Sequence, residues 1–426
     1  MRPATLAGWL RYIETLHPAT VELGLARVDA VARRMSIAVS CPTITVAGTN
    51  GKGSTCALLD SMLRHAGYRT ALYTSPHLAR FNERIRIDGV EATDAAIVAA
   101  FDAVESARTA GESIALTYFE FSTLAALHLF ASERVDAMIL EVGLGGRLDA
   151  VNIVDADVAI VTSIGIDHVD YLGPTRETIG REKAGIFRAG HPAICGDIDP
   201  PASLIERAMT IGAPLWLIGR DYRFSVAGVQ WDYHGPQGAR HALPLPALRG
   251  AYQLGNAATA LAALDALRDR LPIAANAVRA GLVHVELPGR FQVLPGRPVI
   301  VLDVAHNPHA AKVFAETLGA MSYHPRTFAV FGMLADKDID GVIAAMRRRI
   351  DQWYVAPLPG PRGAPASRIV AALRNADVDA SAIHTFADIE HAFAAARAAA
   401  DDTDRIAAFG SFLTVAAALL AARERQ

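Results

Sequence analysis

The fold of this chain is decided by one stretch, Val46-Ala47-Gly48-Thr49-Asn50-Gly51-Lys52-Gly53-Ser54-Thr55. It follows residues 43–46, which are rich in β-branched side chains, and precedes residues 56–63, whose apolar spacing is that of a helix. Glycines allow backbone N–H groups to converge, the lysine adds a positive charge, and the start of a helix adds a partial one. The pattern predicts a polyphosphate-binding loop between a strand and a helix.

This loop differs from a standard Walker A sequence. That sequence needs glycine at position 46, where valine stands, and serine or threonine at position 53, where glycine stands. The simpler alternative is a glycine turn that only joins the strand to the helix. A Gly-Lys-Gly-Ser tetrad at a helix start is rarely needed for turning alone, so phosphate binding is the favoured interpretation.

Bulk properties limit the class of protein. A chain of 426 residues is longer than one hydrophobic core usually grows, so two domains are expected. A net charge of −3 argues against a large nucleic-acid-binding face. The three cysteines have no paired or metal-type spacing, and the first residues lack a signal-peptide pattern. We expect a cytoplasmic enzyme with neither nucleic acid nor membrane as a partner.

Apolar strands that alternate with helical patterns indicate an α/β fold. Residues 137–140 and 158–162 are nearly continuous apolar runs, typical of strands buried on both faces of a parallel sheet. A second strand-helix alternation begins after a Pro- and Gly-bounded stretch at 287–298. We predict a P-loop-type mononucleotide-binding domain with a mainly parallel sheet over residues 1–290, and a smaller C-terminal Rossmann-like α/β domain over residues 291–426.

Three local patterns carry further expectations. Residues 81–89 alternate like a half-exposed strand that ends at a turn. The chain from residue 190 onward breaks into short strands and turns, which indicates a small β-rich region. A strong helix then opens near Asn256, which suits the N-cap position of that helix.

Polar residues follow the two buried strands. Glu141 ends the first of these strands, where the sheet is expected to meet the nucleotide, and its carboxylate suits a hard cation. His168 follows the second; histidine is an unusual Mg²⁺ ligand, so on its own it fits a hydrogen-bonded structural residue better. Lys183 is placed near the start of a helix or turn, and a plain surface lysine is its ordinary interpretation.

Taken together, the motifs resemble those of the folylpolyglutamate synthase family, a branch of the Mur ligase superfamily. The matching segments keep the family's order along nearly the whole chain: residues 48–55, 74–78, 117–120, 141–150, 167–168, 181–186, 287–292 and 303–308. Two departures are Val151, where the family often has threonine, and Val304, where it often has glycine.

The resemblance implies an ATP-dependent ligase that adds L-glutamate to dihydropteroate and to reduced folates through an acyl phosphate. It also implies ATP bound between two domains, two Mg²⁺ ions, a monomeric chain and, as a further candidate, K⁺. The ATP-binding residues it implies are Thr49, Asn50, Gly51, Lys52, Gly53, Ser54, Asn256, Arg290 and Asp303. The metal ligands it implies are Ser75, Glu141, His168 and a carbamylated Lys183.

The same resemblance implies substrate contacts, mostly on the pteridine side. They are Glu22, Leu23, Gly24, Thr117, Tyr118, Phe119, Glu120, Leu148, Asp149, Ala150 and His306. The residues implied to act in catalysis are Lys52, Glu141, His168 and Lys183. For His168 and Lys183 the resemblance therefore reverses the interpretation that each residue suggests alone.

Two other functions fit part of the pattern. A Mur-type peptidoglycan amino-acid ligase shares the fold and the acyl-phosphate chemistry, but it needs a separate N-terminal domain for its UDP-sugar. The segment before the loop is shorter than a usual domain. A non-enzymatic nucleotide-binding switch would need the phosphate loop but not the motif at 303–308.

Overall fold

Residues 2–19 and 21–423 are described by a computed structural model and fall into two units. The first unit extends to Ala247 and includes Leu254–Val285, and the second comprises Leu248–Gln253 and the chain from Glu286 onward. Each unit has its own sheet with helices packed on it.

The first unit contains ten helices and eleven strands among the described residues. Its helices are α1 (Leu6–Glu14), α2 (Ala26–Arg34), α3 (Lys52–His65), α4 (Asp94–Thr109), α5 (Tyr118–Ser132), α6 (Val169–Leu172), α7 (Arg176–Lys183), α8 (Ala202–Ile211), α9 (Tyr252–Ala266, whose first two residues belong to the second unit) and α10 (Ala275–His284). Its strands are β1 (Thr43–Ala47), β2 (Thr70–Tyr73), β3 (Ile85–Ile87), β4 (Val90–Glu91), β5 (Ala137–Glu141), β6 (Val158–Val161), β7 (Ala193–Cys195), β8 (Leu215–Leu217), β9 (Arg223–Ala227), β10 (Gln230–Gly235) and β11 (Gly238–Pro244).

Strand β1 lies inside an eight-stranded sheet with the order β4-β3-β2-β5-β1-β6-β7-β8. It pairs in parallel with β5 on one side and β6 on the other, and β2 pairs in parallel with β5. The carboxyl ends of these four strands therefore meet at one edge of the sheet, where ligands bind in open α/β folds. The phosphate loop, Ser75, Glu141 and the segment after β6 all follow these ends.

Burial explains why these strands form. All five residues of β1 and all five of β5 are buried, and α3 is buried from Gly53 to Leu63. Apolar side chains on both faces of the strands pack under helices, as expected for a parallel sheet. The loop is thus held between rigid elements.

A separate three-stranded antiparallel sheet, ordered β11-β10-β9, forms the β-rich region predicted after residue 190. Its inner face buries Trp231, Tyr233 and Leu243.

The second unit is built on a six-stranded sheet. Its strands are β12 (Gln292–Leu294), β13 (Val299–Asp303), β14 (Thr327–Phe331), β15 (Gln352–Val355), β16 (Ile383–Thr385) and β17 (Arg405–Phe409), and its helices are α11 (Pro308–Gly319), α12 (Ile339–Met346), α13 (Ala366–Asn375), α14 (Ile389–Ala399) and α15 (Phe412–Arg423). The strand order is β12-β13-β17-β14-β15-β16, and only β12 is antiparallel to its neighbour.

The predicted α/β fold class, with a larger mostly parallel sheet and a second α/β unit, is confirmed. The domain boundary placed at residues 290–291 stays a prediction. In the structure the chain passes into the second unit at Glu286, and the Gly289 carbonyl accepts a hydrogen bond from Val304 N. Among the described residues, no helix is both long and apolar enough to cross a membrane.

Of the strand and turn predicted over residues 81–89, β3 at Ile85–Ile87 and the turn at residues 88–89 are confirmed. Residues 81–84 instead form a 3-10 turn, because the Glu83 carboxylate accepts hydrogen bonds from the N–H groups of residues 78–80 and closes the backbone on itself. The N-cap prediction for Asn256 is wrong, since α9 already begins at Tyr252. Lys183 ends α7 and directly precedes a 3-10 turn at Ala184–Ile186, so the prediction that it lies near the start of a helix or turn is confirmed.

Candidate active site

The phosphate loop has a backbone that only glycine tolerates at two positions. Gly48 has φ +151° and Gly51 has φ +86°. A Cβ at Gly48 would lie 1.9 Å from Thr162 Oγ1, and a Cβ at Gly51 would lie 2.6 Å from Asn256 Oδ1. The predicted ATP-binding residue Asn256 is thereby placed against the loop.

Hydrogen bonds fix the loop to the segment that follows β6. Thr49 N donates to Ser163 O at 2.7 Å, and Asn50 N donates to Ser163 Oγ at 3.1 Å. Thr162 Oγ1 donates to Asn50 O at 2.6 Å, and Gly165 N donates to Thr49 Oγ1 at 2.9 Å. The loop is therefore held in shape by protein contacts.

The positive end of this site is formed by Lys52 and the first turn of α3. Lys52 Nζ donates to Gly48 O at 3.1 Å, which holds the ammonium over the loop. Gly51 provides no side-chain cap for the helix, and the first N–H groups of a helix have no partners within it. Together with the helix dipole, these groups suit a phosphate.

Glu141 and Ser75 lie side by side at the ends of β5 and β2. The Glu141 side chain is buried, and its Oε2 accepts a hydrogen bond from Ser75 N at 3.1 Å. A carboxylate and a hydroxyl are oxygen ligands of the kind that Mg²⁺ prefers. This donor set fits the metal site that the sequence predicts.

His168 lies after β6, at the start of the short helix α6. Its backbone is left-handed, with φ +52°, and its N–H donates to Asp167 Oδ1 at 2.8 Å. Its ring is about one third exposed, at 35%, and its Nε2 lies 3.9 Å from Asp167 Oδ1. A partly open imidazole on a strained backbone is consistent with ligand binding, and its role as a metal ligand stays a prediction.

Lys183 is not a surface residue. The residue is only 3% exposed, and burial lowers the pKa of its amine from 10.5 to about 7. The positive charge of Lys52 lowers the pKa further, while Asp167 and Asp149 act in the opposite direction. Lys183 therefore shares one electrostatic environment with the phosphate loop, and a large fraction of its amine is uncharged near neutral pH.

Asp149 orders the glycine-rich loop after β5. Its two carboxylate oxygens accept hydrogen bonds from Leu144 N at 2.8 Å and Val151 N at 3.1 Å. Burial nevertheless raises its pKa to about 7, against the effect of these bonds and of Lys52. The carboxylate thus supports the loop from within.

The three segments predicted for the pteridine side come together. Gly24 N donates to Leu148 O at 3.3 Å, which joins residues 22–24 to residues 148–150. Arg27 joins residues 22–24 to residues 117–120, since its guanidinium contacts the Glu22 carboxylate and donates to Glu120 Oε1 at 3.1 Å. Sequence reasoning missed Arg27, which in the sequence is one of several charged residues on an amphipathic helix.

Glu120 is fixed by its own helix start as well. Its Oε2 accepts from Thr117 N at 2.8 Å, and its N–H donates to Thr117 Oγ1 at 3.2 Å, which is a capping box. The carboxylate is therefore held both by the cap and by Arg27.

A second missed residue, Arg84, is buried among aromatic rings. Its guanidinium carbon lies 5.5 Å from the ring centre of Phe81 and 5.4 Å from that of Tyr118. Its Nε donates to His77 Nδ1 at 2.9 Å, and burial, with the charge of Arg84, lowers the pKa of His77 to about 4. His77 therefore stays uncharged and accepts the bond.

In the second unit, the other predicted residues form a cluster of their own. Asp303 accepts from Phe291 N and from Ala305 N, each at 2.8 Å, and burial raises its pKa to about 6 while Arg290 opposes the rise. The Arg290 guanidinium lies 4.9 Å from the Phe412 ring centre, and the His306 ring lies 6.2 Å from it. Phe412 was not predicted.

Comparison with known proteins agrees with this arrangement. The Mur ligase middle-domain model matches residues 46–264, and the model of the Mur ligase glutamate ligase domain matches residues 289–412. The dihydrofolate synthase/folylpolyglutamate synthase of Escherichia coli (strain K12) is 48% identical over 412 residues, 96% of this chain and 94% of that protein. Its namesake in Haemophilus influenzae is 41% identical over 430 residues, 96% of each chain.

Solved structures extend the likeness to the whole fold. The structure described as E. coli FolC in complex with DHPP and ADP has a TM-score of 0.94 and 46% identity, and the match covers 100% of this chain and 99% of that one. The Yersinia pestis enzyme complexed with AMPPNP and Mn ion has a TM-score of 0.91 and 46% identity, with 99% of each chain covered.

The parallel sheet, its glycine-rich phosphate loop and the second α/β unit define an ATP-dependent ligase of the Mur ligase class. Within that class, the chain belongs to the dihydrofolate synthase/folylpolyglutamate synthase family. The family resemblance and the ligase class predicted from the sequence are confirmed. The alternatives of a peptidoglycan ligase and a nucleotide switch are set aside, because relatives that match the whole chain are folate enzymes.

Proposed function

We propose that this protein is an ATP-dependent ligase that joins L-glutamate to dihydropteroate, forming dihydrofolate, and to reduced folates, forming folylpolyglutamates. The proposal rests on full-length similarity to the E. coli enzyme, joined to one observation in the site. That observation is a buried Lys183 that shares the electrostatic environment of Lys52 and the phosphate loop.

The first step joins two anions. An oxygen of the substrate carboxylate attacks the γ-phosphorus of ATP, and the bond from that phosphorus to the bridging oxygen breaks, releasing ADP. Lys52 and the N–H groups at the start of α3 stabilise the charge that accumulates on the phosphate. The loop needs no rearrangement for this, because its contacts with residues 162–165 already set its shape.

In the second step the uncharged amine of glutamate attacks the carbonyl carbon of the acyl phosphate, and phosphate leaves. Water competes with glutamate for this reactive intermediate, so a productive site must exclude it. We infer that Arg290, Asp303 and Asn256 contact ATP, and that His306 contacts substrate, as the family resemblance implies.

The metal ligands are part of the proposal. Ser75, Glu141 and His168 would hold one Mg²⁺ and modified Lys183 a second, and these ions would supply positive charge to the phosphate oxygens when bound. A solved relative, a bifunctional folylpolyglutamate synthase/dihydrofolate synthase with Mn, AMPPNP and L-glutamate bound, holds a divalent metal together with a nucleotide and the amino acid. A site for K⁺ and the monomeric state stay predictions.

Lys183 is proposed to carry a carbamate. The uncharged amine reacts with CO₂ to give a carbamate and a released proton, which changes the side-chain charge from positive to negative. Burial favours this reaction because it favours the uncharged amine. The carbamate oxygens suit a hard cation, whereas an ammonium would repel it.

For the pteridine side we propose a binding site formed by three segments, Glu22 to Gly24, Thr117 to Glu120, and Leu148 to Ala150. Arg27 and the hydrogen bond from Gly24 to Leu148 join these segments. Rigid hydrogen bonding there would position the acceptor carboxylate toward the phosphate loop.

The decisive experiment is an ADP-release assay with dihydropteroate or tetrahydrofolate as the acceptor. Both acceptors should support ADP release that depends on L-glutamate, and mass spectrometry should show one glutamate added per turnover. Glutamate-independent ADP release would contradict the ligase reaction. Use of tetrahydrofolate with no use of dihydropteroate would contradict the proposed double specificity.

A further inference from the structure

The outer face of the three-stranded sheet carries a cluster of three side chains that the proposed reaction does not use. They are Asp232 and His234 on β10 and His241 on β11. Each offers one nitrogen or oxygen atom of the kind that binds metals, and these three atoms all lie within 4.8 Å of one another. No other group of three or more such side chains with this spacing occurs among residues 2–19 and 21–423.

The strand pairing explains why the three side chains share one face. Asp232 and His234 are two residues apart on one strand, so both point away from the face that buries Trp231 and Tyr233. Tyr233 pairs with Arg240, which sets His241 beside Asp232 on the neighbouring strand.

A β-bulge holds His241 in that place. The register shifts between Trp231 and Tyr233, so that β11 contains one extra residue at this point. The extra residue is Ala242, whose backbone is left-handed with φ +51°. A left-handed alanine is costly, and here it lets β11 keep Leu243 buried while His241 stays on the outer face.

The separations suit a single metal ion. His241 Nδ1 lies 3.3 Å from Asp232 Oδ2, and the His234 and His241 rings are 5.5 Å apart between centres at an angle of 75°. Two ligand atoms of a tetrahedral zinc, each about 2.0–2.1 Å from the metal, lie about 3.4 Å apart. His241 Nδ1 and Asp232 Oδ2 therefore already have the spacing of two zinc ligands, and His234, the third, needs only a small side-chain adjustment to bind the same ion.

A backbone hydrogen bond also orients the Asp232 carboxylate. Its other oxygen, Oδ1, accepts a hydrogen bond from Ala242 N at 2.8 Å, which leaves Oδ2 directed toward His241. Outer hydrogen bonds of this kind orient the ligands of natural metal sites.

We propose that Asp232, His234 and His241 form a binding site for a divalent transition metal of the zinc class, separate from the Mg²⁺ chemistry of the reaction. Two imidazoles and one carboxylate are a set that Zn²⁺ binds, with water in the fourth position. Mg²⁺ prefers oxygen ligands in an octahedral arrangement and is not expected here. The bound ion would join β10 to β11 across the bulge.

The test measures Zn²⁺ bound per chain by equilibrium dialysis of the full-length protein, in buffer with excess Mg²⁺. The variants are His234→Ala and Asp232→Asn, of which the second keeps an oxygen that can accept from Ala242 N while it loses the anionic ligand. The exposed His191 provides the matched control, His191→Ala. Far-UV circular dichroism and ligase activity confirm that each variant is folded.

We expect the parent and His191→Ala to bind one more Zn²⁺ per chain than the other two variants. Loss of an outer-shell partner costs about 10- to 100-fold in metal affinity, so loss of a ligand should cost at least that much. X-ray absorption of the zinc-loaded parent should show two imidazole nitrogens bound to the metal. Equal zinc stoichiometry in all four proteins would overturn the proposal and leave Asp232 and His241 as a plain ion pair.

Discussion

Replacing Lys183 is the most direct test of the proposed chemistry. Burial lowers its pKa from 10.5 to about 7. At pH 8 about 90% of this amine is uncharged, against about 0.3% of an ordinary lysine. The reactive form is thus enriched roughly 300-fold at pH 8, which is the condition that carbamate formation requires.

We expect Lys183→Ala and Lys183→Arg to lose activity to a similar extent. Removing one group that stabilises transition-state charge costs about 10²- to 10³-fold in kcat, and arginine keeps a charge of the wrong sign. The assay is glutamate-dependent ADP release at saturating ATP and Mg²⁺, in buffer with bicarbonate and in buffer depleted of CO₂. Lys312→Ala, at an exposed lysine, is the matched control.

The parent should slow in the depleted buffer and recover when bicarbonate returns, while the two Lys183 variants should not respond. Activity should also fall as the pH drops through about 7, because the amine becomes protonated. Lys183→Arg with activity within a few-fold of the parent would refute the carbamate and indicate a simple phosphate-binding lysine.

The same residue predicts an effect on stability that does not depend on catalysis. The folded-state pKa lies below the unfolded value of 10.5, so the unfolded chain binds more protons between about pH 7 and 10.5. The contribution of Lys183 to the free energy of unfolding therefore rises by roughly 5 kcal/mol across that interval. In CO₂-free buffer, Lys183→Met should show a weaker rise with pH in a denaturant titration.

Three further predictions concern the rest of the site. Glu141→Gln should lower kcat by about 10²-fold or more at saturating Mg²⁺, because it removes a charged oxygen from the metal site; near-normal turnover would argue against ligation. Gly51→Ala should cost about 1–2 kcal/mol of stability, since φ is +86° and the new Cβ meets Asn256, and should weaken ATP binding in calorimetry; unchanged binding would contradict the loop's role. Arg27→Ala should raise the KM for dihydropteroate more than that for ATP, because it separates Glu22 from Glu120; equal changes in both constants would contradict a role for Arg27 on the pteridine side.

Much of the fold was readable from the sequence because the strongest signals are local. Residues 43–47 form a strand and Lys52 begins a helix, as β-branched residues, glycines and apolar spacing indicate. The central strands β5 and β6 were equally clear, since strands buried on both faces are almost wholly apolar.

The predictions failed where a side chain overrides the local pattern. Residues 81–84 alternate like a strand, yet the Glu83 carboxylate collects three backbone N–H groups and forms a turn. Asn256 has a good N-cap composition, but α9 already begins at Tyr252. The contacts of Glu83 form only in the folded chain and have no periodic signature in the sequence.

The residues of the site likewise divide into those that the sequence predicts and those that only the structure reveals. The phosphate loop and Glu141 follow from the order of strands and polar residues along the chain. Arg27, Arg84 and Phe412 could not be found that way, because each acts by joining segments that are distant in sequence. Their residue types are common on surfaces, and only the three-dimensional contacts distinguish them.

The hydrogen bonds between residues 49–50 and 162–165 make two segments move as one body. Opening either segment breaks the same bonds, so their amides should exchange with solvent together, at one rate and with one free energy of opening. A ligand that occupies the phosphate loop should therefore slow amide exchange in residues 162–165 by the same factor as in residues 49–50.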